Sequence, residues 1–240
     1  HSSENSGLVK FDILGLNTLT VINKTIEMLK SKGIKIDISK IKLDDPNIFK
    51  MLSSGETKGL FQLESSGVRS ALKQMKPTQF EDIVALVALY RPGPMNNIPI
   101  YNECKNGLKK PNYIHESLEK ILKPTYGIII YQEQVMQIAQ TLAGFTPGEA
   151  DILRKAMGKK KRKELEKQEE KFIKGSINNK ISKDIASFIF KKIMPFAEYG
   201  FNKSHAAAYA LIAYQTAFLK TYYKEDFIAA TMSTELTNTS

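Results

Sequence analysis

Apolar residues recur at helical spacing along most of the chain. Leu19, Ile22, Ile26 and Leu29 are three or four positions apart, and Gly33 follows them as a helix stop. Comparable patterns predict helices over 66–76, 78–90, 96–106, 115–122, 131–142, 160–174, 182–194 and 204–223, with shorter ones after residue 46, after residue 146 and over 226–232. Residues 8–13 alternate between apolar and charged positions and predict one strand. The fold class is therefore mainly α with a short strand near the start.

The termini of three helices carry residues that are typical of capping. Thr78 precedes Glu81 by three positions, and Thr146 is followed by proline and, three positions on, by Glu149. Ser204 can cap the helix predicted over 204–223. The dipeptide Met157-Gly158 is expected to interrupt the helix that begins after Thr146.

Composition and charge narrow the class of protein. With 42% hydrophobic residues in 240, the chain can bury a core, which excludes general disorder. The single cysteine excludes an internal disulfide, and with three histidines it gives little basis for a zinc site, so a cytoplasmic setting is expected. No apolar run approaches the roughly 20 residues that span a bilayer, so no membrane association is expected.

The net charge of +10 indicates a polyanionic partner, and most of it is concentrated in one segment. Residues 154–163 hold seven basic side chains and no acid. One interpretation is a solvated helix face, since Lys160 and Glu164, Arg162 and Glu166, and Glu170 and Lys174 have i,i+4 spacing. The other is phosphate binding by Arg154, Lys155 and Lys159 beside the permissive Gly158.

Three further positions have side chains that suit phosphate chemistry. Asn202, Lys203, Ser204 and His205 stand together at a predicted helix N-terminus, which favours an anion. Asp12 ends the predicted strand, where it is either a metal ligand or an ordinary turn residue. Arg91 lies on the stiff loop before Pro92 and either contacts DNA or caps the preceding helix.

Six motifs together resemble the catalytic α subunits of bacterial DNA polymerase III, the C-family replicative polymerases. They are Lys10-Phe-Asp-Ile-Leu-Gly-Leu16, Phe61-Gln-Leu-Glu-Ser65, Ala88-Leu-Tyr-Arg-Pro-Gly-Pro94, Pro124-Thr-Tyr-Gly-Ile-Ile-Ile-Tyr-Gln-Glu-Gln-Val-Met136, Leu153-Arg-Lys-Ala-Met-Gly-Lys-Lys160 and Tyr199-Gly-Phe-Asn-Lys-Ser-His205. The resemblance covers about residues 7–235. It implies a piece of a longer subunit, with residues 7–16 as the last palm strand, 17–235 as the helical fingers, 1–6 as a linker and 236–240 as a tail.

The resemblance also implies a role for individual residues. Asp12 matches one of three catalytic aspartates that hold two Mg²⁺ ions, and Lys10 falls near the incoming deoxynucleoside triphosphate (dNTP). Two further sets of residues are expected to bind the triphosphate. The first set is Arg154, Lys155 and Lys159, and the second is Asn202, Lys203 and His205. The family commonly has arginine where this chain has Lys155, which lacks the bidentate fork. Primer-template DNA is expected to contact Arg91, Lys160 and Lys161.

With one carboxylate of the two-metal site, the 240-residue chain alone is expected not to extend primers. The resemblance names a sliding clamp, a clamp loader and a proofreading exonuclease as partners, mostly through regions that this sequence lacks. Two other classes stay open from the residues alone. One is a freestanding helical nucleic-acid-binding module, and the other is a scaffold whose basic segment binds an acidic protein.

Overall fold

The computed structural model describes residues 13–238, and this part of the chain is almost entirely helical. Its α-helices are α1 (Ile13–Ser31), α2 (Pro46–Ser54), α3 (Ser66–Met75), α4 (Phe80–Leu89), α5 (Ile98–Lys105), α6 (Glu119–Leu122), α7 (Gln132–Ala143), α8 (Pro147–Lys159), α9 (Arg162–Asn178), α10 (Lys183–Tyr199), α11 (Lys203–Tyr222) and α12 (Lys224–Asn238). Within residues 13–238 the β structure is one parallel bridge between Tyr131 and Phe201. The mainly α fold predicted from the periodicity is confirmed.

At both ends of the described residues, 13–238, the secondary structure differs from the prediction. Residues 13–16 were assigned to a strand, but Ile13 is the first residue of α1. The rest of the predicted strand, including Lys10 and Asp12, lies outside the described residues. At the other end α12 continues to Asn238, so residues 236–238 are helical and not a tail.

Local capping explains where several helices begin and end. Thr146 and Glu149 form the predicted capping box of α8, with the Thr146 N–H donating to Glu149 Oε2 at 2.9 Å. The helix that begins after Thr146 ends one residue beyond the predicted break, because α8 continues through Gly158 to Lys159 and has Lys160, at a φ of 50°, as its C-cap. Two predicted caps are wrong, since Gln79 and not Thr78 caps α4, and Asn202 and not Ser204 caps α11.

Two hydrophobic cores hold the helices together. The first takes buried residues from α1 to α5 and from α11 and α12, and the second takes them from α6 to α10. The extended residues 128–131 separate the two, because alternate side chains point to opposite faces of extended backbone. Ile128 and Ile130 belong to the first core, whereas Ile129 belongs to the second.

Backbone contacts fix this junction. The Gln132 N–H donates to the Phe201 carbonyl at 3.0 Å, and the Phe201 N–H donates to the Ile130 carbonyl at 3.1 Å. The start of α7 is thereby joined to the turn between α10 and α11. On its other side α7 lies so close to α9 that a Cβ at Gly175 would come within 2.1 Å of the Ala143 carbonyl oxygen, which requires glycine there.

No helix within residues 13–238 is both long enough and apolar enough to cross a membrane.

Candidate functional site

The basic residues of α8 share one carboxylate. Arg154 donates to Asp151 Oδ1 from Nε at 3.0 Å and from Nη2 at 2.7 Å, and Lys155 Nζ lies 2.7 Å from Asp151 Oδ2. The spacings of three and four residues put all three side chains on one helix face. Hydrogen bonds from Lys155 and Arg154 hold the pKa of Asp151 below its ordinary value. The trio therefore carries a net charge of about +1 at neutral pH.

The segment after this trio presents more positive charge at the junction of two helices. Lys159 is the exposed last residue of α8, Lys160 has a φ of 50°, and Lys161 is the N-cap of α9. The predicted pair of Arg162 and Glu166 is present, with Nε 3.0 Å from Oε1. Part of the basic segment is thus a solvated helix face, which agrees with the first of the two interpretations of this segment.

The N-terminus of α11 already has two internal acceptors. Asn202 Oδ1 accepts from the His205 N–H at 2.9 Å, and Glu133 Oε2 accepts from the Lys203 N–H at 3.0 Å. The Lys203 ammonium lies 3.8 Å from Glu81 and 5.5 Å from the centre of the Tyr131 ring. Because a helix N-terminus has free N–H groups, acceptors are expected there. Here Glu133 of α7 and Asn202, the N-cap of α11, supply them.

Beside this helix end is a polar cleft of about 410 Å³. Its lining includes Glu81, Lys120, Glu133 and Lys203. Tyr131 lines it as well, and burial raises the pKa of this tyrosine, which therefore stays a neutral phenol. Two cations and two carboxylates face the same space, so the cleft has mixed charge.

The His205 ring is held between two aromatic rings. Its centroid is 5.5 Å from that of Phe201 at an interplanar angle of 28°, and 4.3 Å from that of Tyr209. Tyr209 in turn packs edge-on against Phe61 at 5.6 Å. His205 is nevertheless an exposed residue, although its ring contacts two other rings.

Arg91 ends this row of rings. Its guanidinium carbon lies 4.6 Å from the centre of the Phe201 ring. Nε donates to the Ala88 carbonyl at 2.9 Å, and Nη2 donates to the Tyr199 carbonyl at 2.6 Å. The predicted capping of the preceding helix is therefore present, and burial lowers the pKa of Arg91. The predicted contact with DNA stays a prediction.

The sequence-predicted residues thus form two groups in the described part of the chain. Arg154, Lys155 and Lys159 lie on α8 of the second core, whereas Asn202, Lys203 and His205 lie at the start of α11, which packs in the first. Lys10 and Asp12 lie outside the described residues.

Sequence reasoning did not identify the Glu133 acceptor at the start of α11. Glu133 is 70 positions from Lys203, and no local pattern signals that contact. The row of rings did have a partial signal, because His205 and Tyr209 are spaced by four on α11 and Phe201 precedes His205 by the same spacing just before that helix.

The predicted metal site has no counterpart in the structure as far as it is described. Among residues 13–238 no three His, Cys, Asp or Glu side chains are grouped so that they could hold an ion. The described residues therefore do not fit a two-Mg²⁺ site by themselves, and the role of Asp12 stays a prediction.

Comparisons with known proteins agree on one family. The profile of the "Bacterial DNA polymerase III alpha subunit finger domain" matches residues 18–180. The chain is 55% identical over 236 residues to the DNA polymerase III subunit alpha of Rickettsia prowazekii, covering 98% of the chain and 20% of that protein. The corresponding protein of Caulobacter vibrioides is 52% identical, with 98% and 21% covered, and that of Staphylococcus aureus strain N315 is 52% identical, with 96% and 22% covered. The chain spans about a fifth of the length of these relatives.

Proposed function

The chain belongs to the bacterial DNA polymerase III alpha subunit finger family, and from this we propose that it binds the triphosphate of an incoming dNTP as part of a DNA-directed DNA polymerase. The proposal includes the cytoplasmic setting expected from the sequence. The relatives are alpha subunits of DNA polymerase III, and nucleotidyl transfer is the reaction of a DNA polymerase.

One observation carries the proposal, namely the two neighbouring cations that share Asp151. Arg154 and Lys155 are both oriented by one carboxylate, and their side chains are 30% and 58% exposed. A triphosphate bears several negative charges against the single charge of Asp151, so it competes well for the same N–H donors. Arg154 offers a planar fork, and Lys155 offers a point charge.

The second predicted group lies at the start of α11. There Asn202 fixes the His205 N–H, and the His205 ring is held between two other rings, so little side-chain entropy is lost when a ligand binds. Lys203 supplies a cation that Glu81 partly offsets. We propose that Asn202, Lys203 and His205 form a second group of triphosphate contacts.

Membership of the family supports proposals for the remaining residues. We propose that Lys160 and Lys161, at the exposed junction of α8 and α9, contact the primer-template backbone, and that Lys10 approaches the triphosphate. Asp12 would contribute one carboxylate to a two-Mg²⁺ site, which needs further ligands. The sliding clamp, the clamp loader and the proofreading exonuclease stay predicted partners.

Separate titrations of two ligands test the proposed function. Isothermal titration calorimetry of the 240-residue chain with dATP, and fluorescence anisotropy with a single-stranded oligonucleotide, are run on wild type, Arg154→Gln and Lys159→Gln. We expect each variant to weaken dATP binding by about tenfold, as for a lost charge-assisted contact. If DNA binding falls while dATP binding is unchanged, a nucleic-acid-binding module is favoured. If neither ligand responds, an interaction scaffold is favoured.

A primer-extension assay tests the expected lack of activity. The 240-residue chain with Mg²⁺, dNTPs and a primed template is expected to add no nucleotide. Metal-dependent incorporation that survives Asp12→Ala would contradict this expectation, because it would require a metal site that does not use Asp12.

A further inference from the structure

The guanidinium of Arg91 joins the ends of two helices, and Arg91 is 108 residues from Tyr199, one of the two residues that it holds. Nε holds the carbonyl of Ala88 at the end of α4, and Nη2 holds the carbonyl of Tyr199 at the end of α10. Since the fork of arginine is planar, these two bonds also fix the plane of the guanidinium. That plane lies over the ring of Phe201 at 4.6 Å.

The segments at these two helix ends also interlock through a glycine. Gly93 has a φ of 99°, and a Cβ there would approach the Tyr199 ring to 3.1 Å. The loop that carries Arg91 therefore packs closely against Tyr199, whose carbonyl accepts from Arg91. Such a close approach leaves the turn before α11 little freedom to shift relative to α4.

From Arg91 the contacts continue to His205. The Phe201 ring stacks on the His205 imidazole at 5.5 Å, and the Tyr209 ring lies 4.3 Å from the imidazole at an interplanar angle of 60°. Phe201 itself is held by the backbone bridge to Ile130 and Gln132, so its ring has a fixed base. The orientation of the histidine thus depends on Phe201, and that of Phe201 depends on Arg91.

We propose that Arg91 is a positioning residue for nucleotide binding, which acts by holding Phe201 and hence His205 in a fixed orientation at the start of α11. The inference rests on the proposed function, because it takes His205 to face the triphosphate. It gives Arg91 a role different from the predicted contact with DNA. Two of its donors and one face of its guanidinium already have partners within the protein.

Variants at Arg91 and Phe201 test this role on the 240-residue chain. Arg91→Lys keeps the charge and loses the planar fork, and Arg91→Met loses both. Phe201→Leu removes the aromatic ring, whereas Phe201→Tyr keeps one. The matched control is Arg69→Lys, since Arg69 also donates from Nε to a loop carbonyl, that of Gly55 at 2.8 Å.

Two measurements are made on each variant. The first is the NMR signals of ¹³C-labelled histidine rings, of which the chain has three, with His205 assigned by His205→Gln. The second is the Kd for dATP. We expect both Arg91 variants and Phe201→Leu to move the His205 signals toward those of free histidine and to weaken dATP binding by about three- to tenfold. Phe201→Tyr and Arg69→Lys should stay close to wild type.

The outcomes separate the inference from the proposed function. If the His205 signals do not move in Arg91→Lys, or if they move while the Kd for dATP stays the same, the positioning role is wrong. If Arg91→Lys retains dATP binding and Arg91→Met lowers only the affinity for single-stranded DNA and its salt dependence, Arg91 contacts DNA instead. If wild type binds no dATP, the proposed function has failed. If the His205 signals still depend on Arg91 in that case, Arg91 orients the His205 ring without a role in nucleotide binding, which also overturns the inference.

Discussion

Removal of the Asp82 carboxylate is expected to be among the most destabilising single changes in this fold. Asp82 is fully buried, and its Oδ2 lies 2.9 Å from Lys105 Nζ, whose side chain is only 7% exposed. The same carboxylate accepts from the Thr78 N–H at 3.0 Å and from the Tyr101 hydroxyl at 2.8 Å. Burial and the nearby Asp82 charge raise the pKa of Tyr101, so this tyrosine stays a neutral donor.

The magnitude follows from what Asp82→Ala leaves behind. Removing one partner of a buried ion pair costs about 3–5 kcal/mol, and losing the capping-box carboxylate that accepts from the Thr78 and Gln79 N–H groups costs about 1 kcal/mol more. These terms overlap, so we expect a loss of about 4 kcal/mol from the free energy of unfolding, out of the roughly 5–15 kcal/mol typical of a domain. At a urea m-value of about 2.5 kcal/mol/M, the unfolding midpoint falls by about 1.6 M.

Urea unfolding followed by circular dichroism measures this midpoint. The matched control is Asp37→Ala, because Asp37 is also near a lysine but is 55% exposed, and it should shift the midpoint far less. Adding Lys105→Met to Asp82→Ala should recover part of the loss, since no buried ammonium then lacks its partner. A decrease of less than about 0.5 M in the urea midpoint of Asp82→Ala would refute the reasoning. So would a double variant whose loss of unfolding free energy equals the sum of the two single losses.

Three further predictions concern single side chains. Lys171 lies 2.7 Å from Glu149, and this contact holds the pKa of Glu149 below its ordinary value, so its stabilising effect is full above about pH 5 and is lost as the pH falls through the lowered value. The midpoint difference between wild type and Glu149→Gln in urea should therefore shrink on acidification, and a constant difference from pH 7 to pH 3 would contradict this. Burial raises the pKa of Cys104, so its thiol should react slowly with a disulfide reagent at pH 8 and quickly in urea, whereas equal rates would show an accessible thiol. Glu133→Gln removes the carboxylate on the Lys203 N–H, so the Kd for dATP should fall by about two- to fivefold at low salt, and a weaker affinity would show that Glu133 assists binding.

The helices could be predicted from the sequence because their signals are local. The capping box at Thr146 and the glycine after Leu29 depend only on residues within one turn, and both predictions hold. The cap of α4 was misplaced because a tertiary network decides it. Asp82 is fixed by Lys105 and Tyr101, and its carboxylate accepts from the Thr78 and Gln79 N–H groups, so the capping box forms at Gln79.

The same distinction applies to the candidate site. The contact of Arg154 with Asp151 follows from i,i+3 spacing and is accessible to sequence reasoning. The contact of Glu133 with Lys203 and that of Arg91 with Tyr199 join residues 70 and 108 positions apart, so only the packed fold brings them together. For this reason sequence reasoning could propose basic residues for the site, but it could not show that distant residues of the fold already accept hydrogen bonds from Lys203 and Arg91.

One matched comparison tests most directly whether α8 binds the triphosphate. The Kd of inorganic triphosphate is measured by calorimetry for wild type, Arg154→Gln and Arg162→Gln, which each remove one arginine that pairs with a carboxylate on its own helix. If the triphosphate binds at α8, Arg154→Gln raises the Kd by about tenfold and Arg162→Gln by less than about twofold. Equal changes in the two variants, or no binding by wild type, would contradict this function.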